Sequence, residues 1–404
     1  MLRPDPRRWP ARFRAIDVPL AVLLADTFTM ALGFYMLVPL LAFHMLQDIG
    51  LTVGVVGVLA AVRSASQQGM MPWSGALADR LGHRRAIATG VLVRASGFAL
   101  FAFVESVPGL VAASVLAGLG GSLFHPASYA AYALLAGERN RVAVYSLREI
   151  LSNVGFVIGP LVGGLLADLD FRWVCLASAG FFAIAFVITV VGLPRDMRRG
   201  APVAGEARTL RRALQDRDFV RFCALAAATW VLFSQLYLAV PVQAQRVLPD
   251  SVGLGAVYSL AAIVMVVVMM PLTRAADRWW TSSTSLAIAT LGLGAGLLLM
   301  GSLPSLAGLA VGVTVFTLGQ VLFQPIMNSV VAQYADEAAV ASYFGVHGLA
   351  LAVGGVVGSA GGGVLYSLLD ADAPALRAVP WATFALWSVV AAWLHRRRPT
   401  GVLT

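Results

Sequence analysis

Five ionisable residues interrupt long apolar stretches of this chain: Asp26, Arg63, Arg94, Arg148 and Glu149. A charge held in hydrocarbon costs roughly 2.5–3.5 kcal/mol on an insertion scale, so such residues mark ion or substrate pathways. Asp26 lies about nine residues into the first apolar run, ~14 Å at 1.5 Å per residue and near the middle of a ~30 Å core. Arg63 has a comparable depth in the second run. That count allows an Asp26–Arg63 pair, read either as a fixed ion pair or as a carboxylate whose proton comes and goes as the guanidinium moves. Arg148 and Glu149 are sequence neighbours and project about 100° apart on a helix, an arrangement expected to keep them from neutralising each other. Both lie about six residues into the fifth run, within snorkelling reach of the interface. Arg94 has no evident partner.

The remaining candidates are neutral. Trp230, Gln235 and Tyr237 on the seventh run, Gln320, Gln324 and Asn328 on the tenth, and Gln67 on the second either line a cavity or make interhelical contacts. His125 and His347 read as hydrogen-bonded packing residues, and Cys175 and Cys223 as inert buried thiols without metal-type spacing. No metal and no cofactor is expected.

The elements that carry these residues follow from composition. The chain has 404 residues, 59% hydrophobic and 12% charged, with a mean hydropathy of +0.81. An ordinary soluble domain is about 25% charged, so this is an integral membrane protein. Twelve apolar runs are long enough to span: 17–43, 51–74, 86–106, 108–136, 142–168, 172–193, 220–243, 252–276, 281–302, 304–333, 340–368 and 380–395. The first is too long, and its flank too Arg-rich, for a cleavable signal peptide. The net charge of +9 comes from 29 basic residues, all Arg. Twenty-three of them flank one side of the twelve spans and only Arg172, Arg246 and Arg377 the other. That bias places both termini in the cytoplasm. It explains the charge topologically, and no nucleic-acid partner is expected.

The sequence also repeats. Shifted by 199 residues, "LGGSLFHP" (119–126) falls on "LGQVLFQP" (318–325), and Gly155, Gly159, Gly163 and Gly164 fall on Gly354, Gly358, Gly362 and Gly363. Met70-Met71-Pro72 likewise falls on Met269-Met270-Pro271. Six spans are therefore followed by six related ones: an N-terminal bundle, 1–193, a cytoplasmic linker, 194–219, with a short amphipathic surface helix near 206–216, and a C-terminal bundle, 220–404. Two parallel six-helix repeats with a central site describe a secondary transporter of the major facilitator type, an all-α membrane fold of twelve helices.

Two motifs sharpen this. "GALADRLGHRR" (75–85) follows the second span, and its Gly75, Asp79, Arg80, Gly82, Arg84 and Arg85 resemble the loop signature of the major facilitator superfamily, with His83 where an Arg is common. In that family the loop forms a charge-relay latch stabilising the outward-open state. Its second copy, "TRAADRW", keeps Asp277 and Arg278. In "NVGFVIGPLVGGLL" (153–166), small residues on one helix face let backbones approach, and Pro160 permits a bend. The string Gly155, Gly159, Pro160, Gly163, Gly164 resembles the antiporter motif of the drug:proton branch, where it packs the fifth helix against its counterpart in the other half. Residues 354–363 supply that counterpart, with Ser359 in place of the proline. The Arg usual in helix 4 of that branch is Ser114 here, so a relay built on it does not carry over. Asp26 ahead of "LGF", "R…QQG" from Arg63, "RASGFA" from Arg94, "GLGGSLF", "FRWVC" and "LAVGGVVGSAGGG" further resemble multidrug-resistance transporters of the MdtH type over nearly the whole chain.

The resemblance implies a proton-driven exporter of amphipathic small molecules in a bacterial plasma (inner) membrane, working by alternating access, with protons, solute and bilayer as partners and a monomer as the unit. The alternatives are a transporter of a specific metabolite, anionic if a cavity Arg is unpaired, and a non-transporting sensor or scaffold on the same fold. An enzyme is not expected, since no HExxH or nucleophile-elbow motif occurs.

Overall fold

The computed structural model describes residues 17–195, 206–248, 250–334 and 340–397 and is all-helical among them, with no strand. The Arg-rich segment 1–16 and residues 196–205 of the linker lie outside the described residues, as do the side chains of Asp79 and Asp277. Helix α1 is Val18–Gln47. Helix α2 starts as Val53–Ser64, passes through a π-helical turn, Ala65–Gly69, and resumes as Met71–Leu81. Helix α3 is His83–Phe101. Helical turns follow one another from Val107 to Ala167 and contain two spans, α4 (Val107–Tyr132) and α5 (Leu147–Ala167). The Arg148 guanidinium lies 4.2 Å from the Tyr129 ring centroid, whereas nineteen residues of straight helix cover about 28 Å. The chain therefore reverses between α4 and α5.

Helix α6 is Phe171–Gly192, and a linker helix follows at Glu206–Gln215. Helix α7 is Arg217–Phe233, continued by a 3-10 turn, Ser234–Tyr237, and by Ala239–Val247. The last five are α8 (Ser251–Trp279), α9 (Ser282–Ser302), α10 (Leu306–Tyr334), α11 (Val340–Tyr366) and α12 (Pro374–Arg396). All twelve expected segments are thus present as helices, and ten are long and apolar enough to cross a membrane unaided. The other two are α2, broken by its π turn, and α3, which carries Arg84, Arg85 and Arg94. Helix α2 continues to Leu81 and α12 starts at Pro374, beyond the apolar runs, because polar interfacial residues extend a helix past the hydrocarbon. Side-chain oxygens of Asp170, Asp216, Asp250 and Thr281 accept bonds from the first-turn N–H groups of α6, α7, α8 and α9, which satisfies donors that the helix itself cannot.

Glycine sets the helix spacing, and the packing obeys the 199-residue shift. A Cβ on Gly155 would lie 2.7 Å from the Ala31 Cβ and one on Gly159 would lie 2.9 Å from the Met36 nitrogen, so α5 lies flush on α1. Gly354 and Gly358 make the equivalent approaches of α11 to Trp230 and Val231 of α7. In the same way Gly90 meets Gly120 across α3 and α4, and Gly319 meets Ala289 across α10 and α9. The opposite edges of the two motif helices make the crossings between the first six helices and the last six. Gly164 of α5 lies against Ser251, at the start of α8, with Gly255 against Pro160. Gly363 of α11 lies on Gly57 of α2, where an added Cβ would sit 2.9 Å from the glycine Cα.

The expected α5–α11 contact is therefore incorrect. Each of these helices pairs with α1 or α7 on one edge and with α8 or α2 on the other. The motif contains two small-residue edges, and sequence spacing alone does not say which neighbour each edge meets. Further bonds join the two sets near the Arg-poor ends: Gln47 Nε2 donates to the Gln245 carbonyl at 3.4 Å, and the Ser251 N–H donates to Asp168 Oδ1 at 3.3 Å. Ser259 Oγ also donates to the Val157 carbonyl at 2.7 Å.

Candidate functional site

Among the described residues the expected Asp26–Arg63 pair does not form. Asp26 is fully buried between α1 and α6, where its Oδ2 accepts from Thr189 Oγ1 at 2.6 Å and its Oδ1 has no partner. Beside it, Thr27 Oγ1 and the Tyr132 hydroxyl lie 2.7 Å apart, and the Tyr132 hydroxyl donates to the Leu23 carbonyl at 2.5 Å. Tyr132 ends α4 and Thr189 precedes the end of α6 by three residues, so this polar group lies toward the Arg-rich end and not at mid-depth. Helix α1 is 30 residues long, ~45 Å against a ~30 Å hydrocarbon core, so Asp26 lies about 10 Å short of the helix centre.

Arg63 instead reaches toward Phe34, eight residues further along α1, with its Cζ 6.0 Å from the ring centroid. Arg94 approaches the same ring at 4.7 Å and also stands over Phe98 at 5.8 Å and Phe182 at 5.6 Å. Among the described residues it donates to Gln67 Oε1 at 3.4 Å, and its Nε is buried without a partner there. The guanidinium runs past Gly121 of α4, where a Cβ would sit 3.2 Å from Arg94 Nη1. Cation–π contacts of this kind give ~0.5–2 kcal/mol, which supports but does not neutralise the charge.

Arg63 lines a narrow open cleft with Val38, Leu41, Met45 and Leu59, and Tyr237 reaches it from α7. Ser114, at the position of the missing Arg, borders the same cleft. Trp230 and Phe233 stack at 4.2 Å with planes 7° apart, and Phe323 of α10 lies 6.3 and 6.0 Å from them. Gly355 of α11 lies between the Trp230 ring and Ser64, the neighbour of Arg63. Trp230 of the last six helices therefore approaches Ser64 of α2 across Gly355.

Other expectations fare differently. Gln235 does not line the cavity: fully buried, its Nε2 donates to the carbonyls of Val231 and Gly358 at 2.8 and 2.9 Å and clamps α7 to α11. Gln320 and Gln324 are at least half-buried, each with an unpartnered Oε1, while Asn328 is exposed. Arg148 and Glu149 do pair, because the long Arg side chain folds back onto its neighbour, and Arg148 also covers the Tyr129 ring. His347 lies 6.3 Å from the Phe222 ring, and His125 lies 5.4 Å from Phe124. In the 75–85 motif, Arg80 and Arg85 are exposed and Arg84 Nη2 donates to the Val190 carbonyl at the end of α6. Gly82 has φ +86°, a conformation that favours glycine. Gly75 is not tightly packed, since a Cβ there would have Pro126 at an ordinary 3.9 Å.

Phe34, Thr189, Tyr132 and the buried trio Thr229, Thr290 and His395, with His395 Nε2 3.0 Å from Thr229 Oγ1, were not singled out from sequence. Apolar runs contain many such residues, and only Asp26 itself, a buried acid that needs donors, hinted at two of them.

Two related sets of six helices enclosing a charged cleft at their junction define a secondary-transporter fold. The chain belongs to the Major Facilitator Superfamily, whose profile matches residues 23–359. It is 30% identical over 368 residues to the multidrug resistance protein MdtH of Aeromonas hydrophila, covering 91% of each chain. It is 32% identical over 409 residues to an MFS-type transporter of Mycobacterium tuberculosis, covering 96% of this chain and 95% of that one. In fold it is similar to the nucleoside transporter NupG, with a TM-score of 0.81 at 14% identity over 94% of this chain and 99% of that one. A POT family transporter superposes with a TM-score of 0.78 at 15% identity, covering 93% and 94%. It is a transporter, not an enzyme.

Proposed function

We propose that this transporter is a proton-coupled exporter of amphipathic small molecules, acting as a monomer in a bacterial inner membrane with both termini cytoplasmic. The halves 1–193 and 220–404, joined by the cytoplasmic linker 194–219, rock about the central cleft. The observation that carries this reading is the junction itself. Cross-contacts at α5–α8, at the start of α2 and end of α11, and at Gln47–Gln245 hold the Arg-poor ends together around an Arg- and aromatic-lined cleft. Rocking that opens this seal exposes the cleft to the opposite side. Relatives named multidrug resistance proteins support an efflux direction.

Asp26 is the proposed proton carrier. It has one free carboxylate oxygen and hydroxyl neighbours on α1, α4 and α6, so a small relative movement of those helices changes what it can bind. Arg148 and Glu149 form a secondary candidate pair near the Arg-rich interface. The 75–85 loop serves as the latch, with Arg84 tying α3 to α6. In proteoliposomes, Asp26→Asn is expected to retain substrate exchange and to lose accumulation driven by a pH gradient. A variant that still concentrates substrate on a pH gradient alone would remove Asp26 from the coupling path.

A further inference from the structure

The cleft has an electrostatic imbalance that the export reading leaves open. Arg63 and Arg94 share the Phe34 ring, their Cζ atoms 6.0 and 4.7 Å from its centroid, and each lies within electrostatic reach of the other. Neither forms an ion pair among the described residues. The two carboxylates set within the apolar runs, Asp26 and Glu149, are both engaged elsewhere. Asp26 sits two turns lower on α1, bonded to Thr189, and Glu149 is exposed and held by Arg148. The neutral groups around the arginines are too few to compensate: among the described residues Gln67 meets Arg94 at 3.4 Å, Arg94 Nε has no partner, Tyr35 is near Arg94 and Tyr237 borders the cleft beside Arg63. Two like charges in a low-dielectric site require a counter-charge. Of the two, Arg63 is the one that borders the cleft.

We infer that this counter-charge is the cargo: the cleft binds an organic anion with an aromatic body, its acid group on Arg63 and its ring against Tyr237 and the apolar side chains of Val38, Leu41 and Leu59. This rests on the export reading and narrows its substrate class. Arg63 contacts the anion. Arg94 is a positioning residue that acts through Phe34 and through its field, and Gly121 supplies the space it occupies. A guanidinium suits a carboxylate or sulfonate by its planar fork of donors. The Tyr237 ring and the apolar Val38, Leu41 and Leu59 side chains border the same cleft.

The test uses the full chain in nanodiscs, with empty nanodiscs as the partition control, and three probes of one shape: 1-naphthoate, 1-naphthamide and 1-naphthylmethylammonium. Wild type is expected to bind naphthoate about tenfold or more tightly than the other two, with the difference shrinking as salt rises. Arg63→Gln should remove the preference, Arg63→Lys should keep most of it, and Arg94→Gln should reduce it less than Arg63→Gln. Equal or tighter binding of the amide or the amine by wild type overturns the inference without requiring any variant to fold. A folded Arg63→Gln protein that retains the carboxylate preference overturns it as well. If export is measured but favours the cationic probe, the export reading stands and the anion assignment falls. A carboxylate preference without flux on a pH gradient does the reverse.

Discussion

The two halves of this transporter agree in their packing and disagree in their charge. Several of the closest helix approaches in the first half have counterparts 199 residues later: Gly155 and Gly354, Gly159 and Gly358, Gly97 against Ala117 and Gly296 against Phe316. At the same shift, Asp26, Arg63, Arg94, Arg148 and Glu149 correspond to Leu225, Ala262, Leu293, His347 and Gly348. Packing is needed twice, because each half must hold itself together and each contributes one edge to both crossings. Chemistry at a central site is needed once. Among the described residues of the last six helices no Asp, Glu or Arg is buried, and some interior polar groups bond locally, as in the Gln235 clamp and the Thr229–His395 bond.

The comparison can be broken most severely at the crossings. Gly57→Leu would drive a side chain into the Gly363 backbone and is expected to lower transport by about 100-fold or more, since closure of the Arg-poor end requires that contact. Gly159→Leu acts within the first half, on Tyr35 and Met36 of α1. Its expected signature is a destabilisation of ~1–3 kcal/mol or more, read as a lower thermal midpoint of the purified protein. If the two variants exchanged phenotypes, the division between crossing and in-half contacts would be wrong.

The next largest effect concerns charge. Arg94→Leu copies the second half into the first and should abolish transport while leaving stability unchanged or raised by up to about 4 kcal/mol, because an uncompensated buried charge is removed. The reciprocal Leu293→Arg places a charge in the fully buried core of α9 and should cost about 3 kcal/mol. Thermal melts and flux on the same preparations separate the two expectations.

The smallest effects lie at the equivalent helix junctions. Gly82 turns the chain between α2 and α3 with φ +86°, whereas Thr281, its counterpart, caps α9 with an ordinary φ of −72° and accepts from Thr284. Gly82→Ala is expected to cost ~1–2 kcal/mol from backbone strain, and Thr281→Ala about 1 kcal/mol from a lost cap. Denaturation midpoints would rank them. A reversed order would mean that the two junctions are not conformationally distinct.

Sequence revealed the packing half of this comparison far better than the charged half. Hydropathy delivers the helices because hydrocarbon demands long apolar segments, and the glycines at 155, 159, 163 and 164 reveal tight crossings because few other side chains permit them. It did not reveal which neighbour each glycine edge meets, since that depends on how twelve helices arrange laterally. The Asp26–Arg63 pairing failed for a related reason. Counting from the end of an apolar run gives depth to within two turns, and two turns separate Phe34, which Arg63 approaches, from Asp26. Arg94 has no evident partner in the sequence, and it forms no ion pair among the described residues.

The π turn at Ala65–Gly69 makes α2 a screw with two threads. It fits one more residue into a turn than the α-helix does, so relaxing it would rotate Met71–Leu81 by about 100° relative to Val53–Ser64 and displace them by ~1.5 Å along the axis. Gln67, within the turn, would swing off Arg94, while Gly57 above it could keep its seat on Gly363. The equivalent stretch of α8 is regular helix, without such a thread change. Torque applied at the 75–85 loop would therefore be taken up in the first half at the level of the arginines, and would pass undiminished through the second.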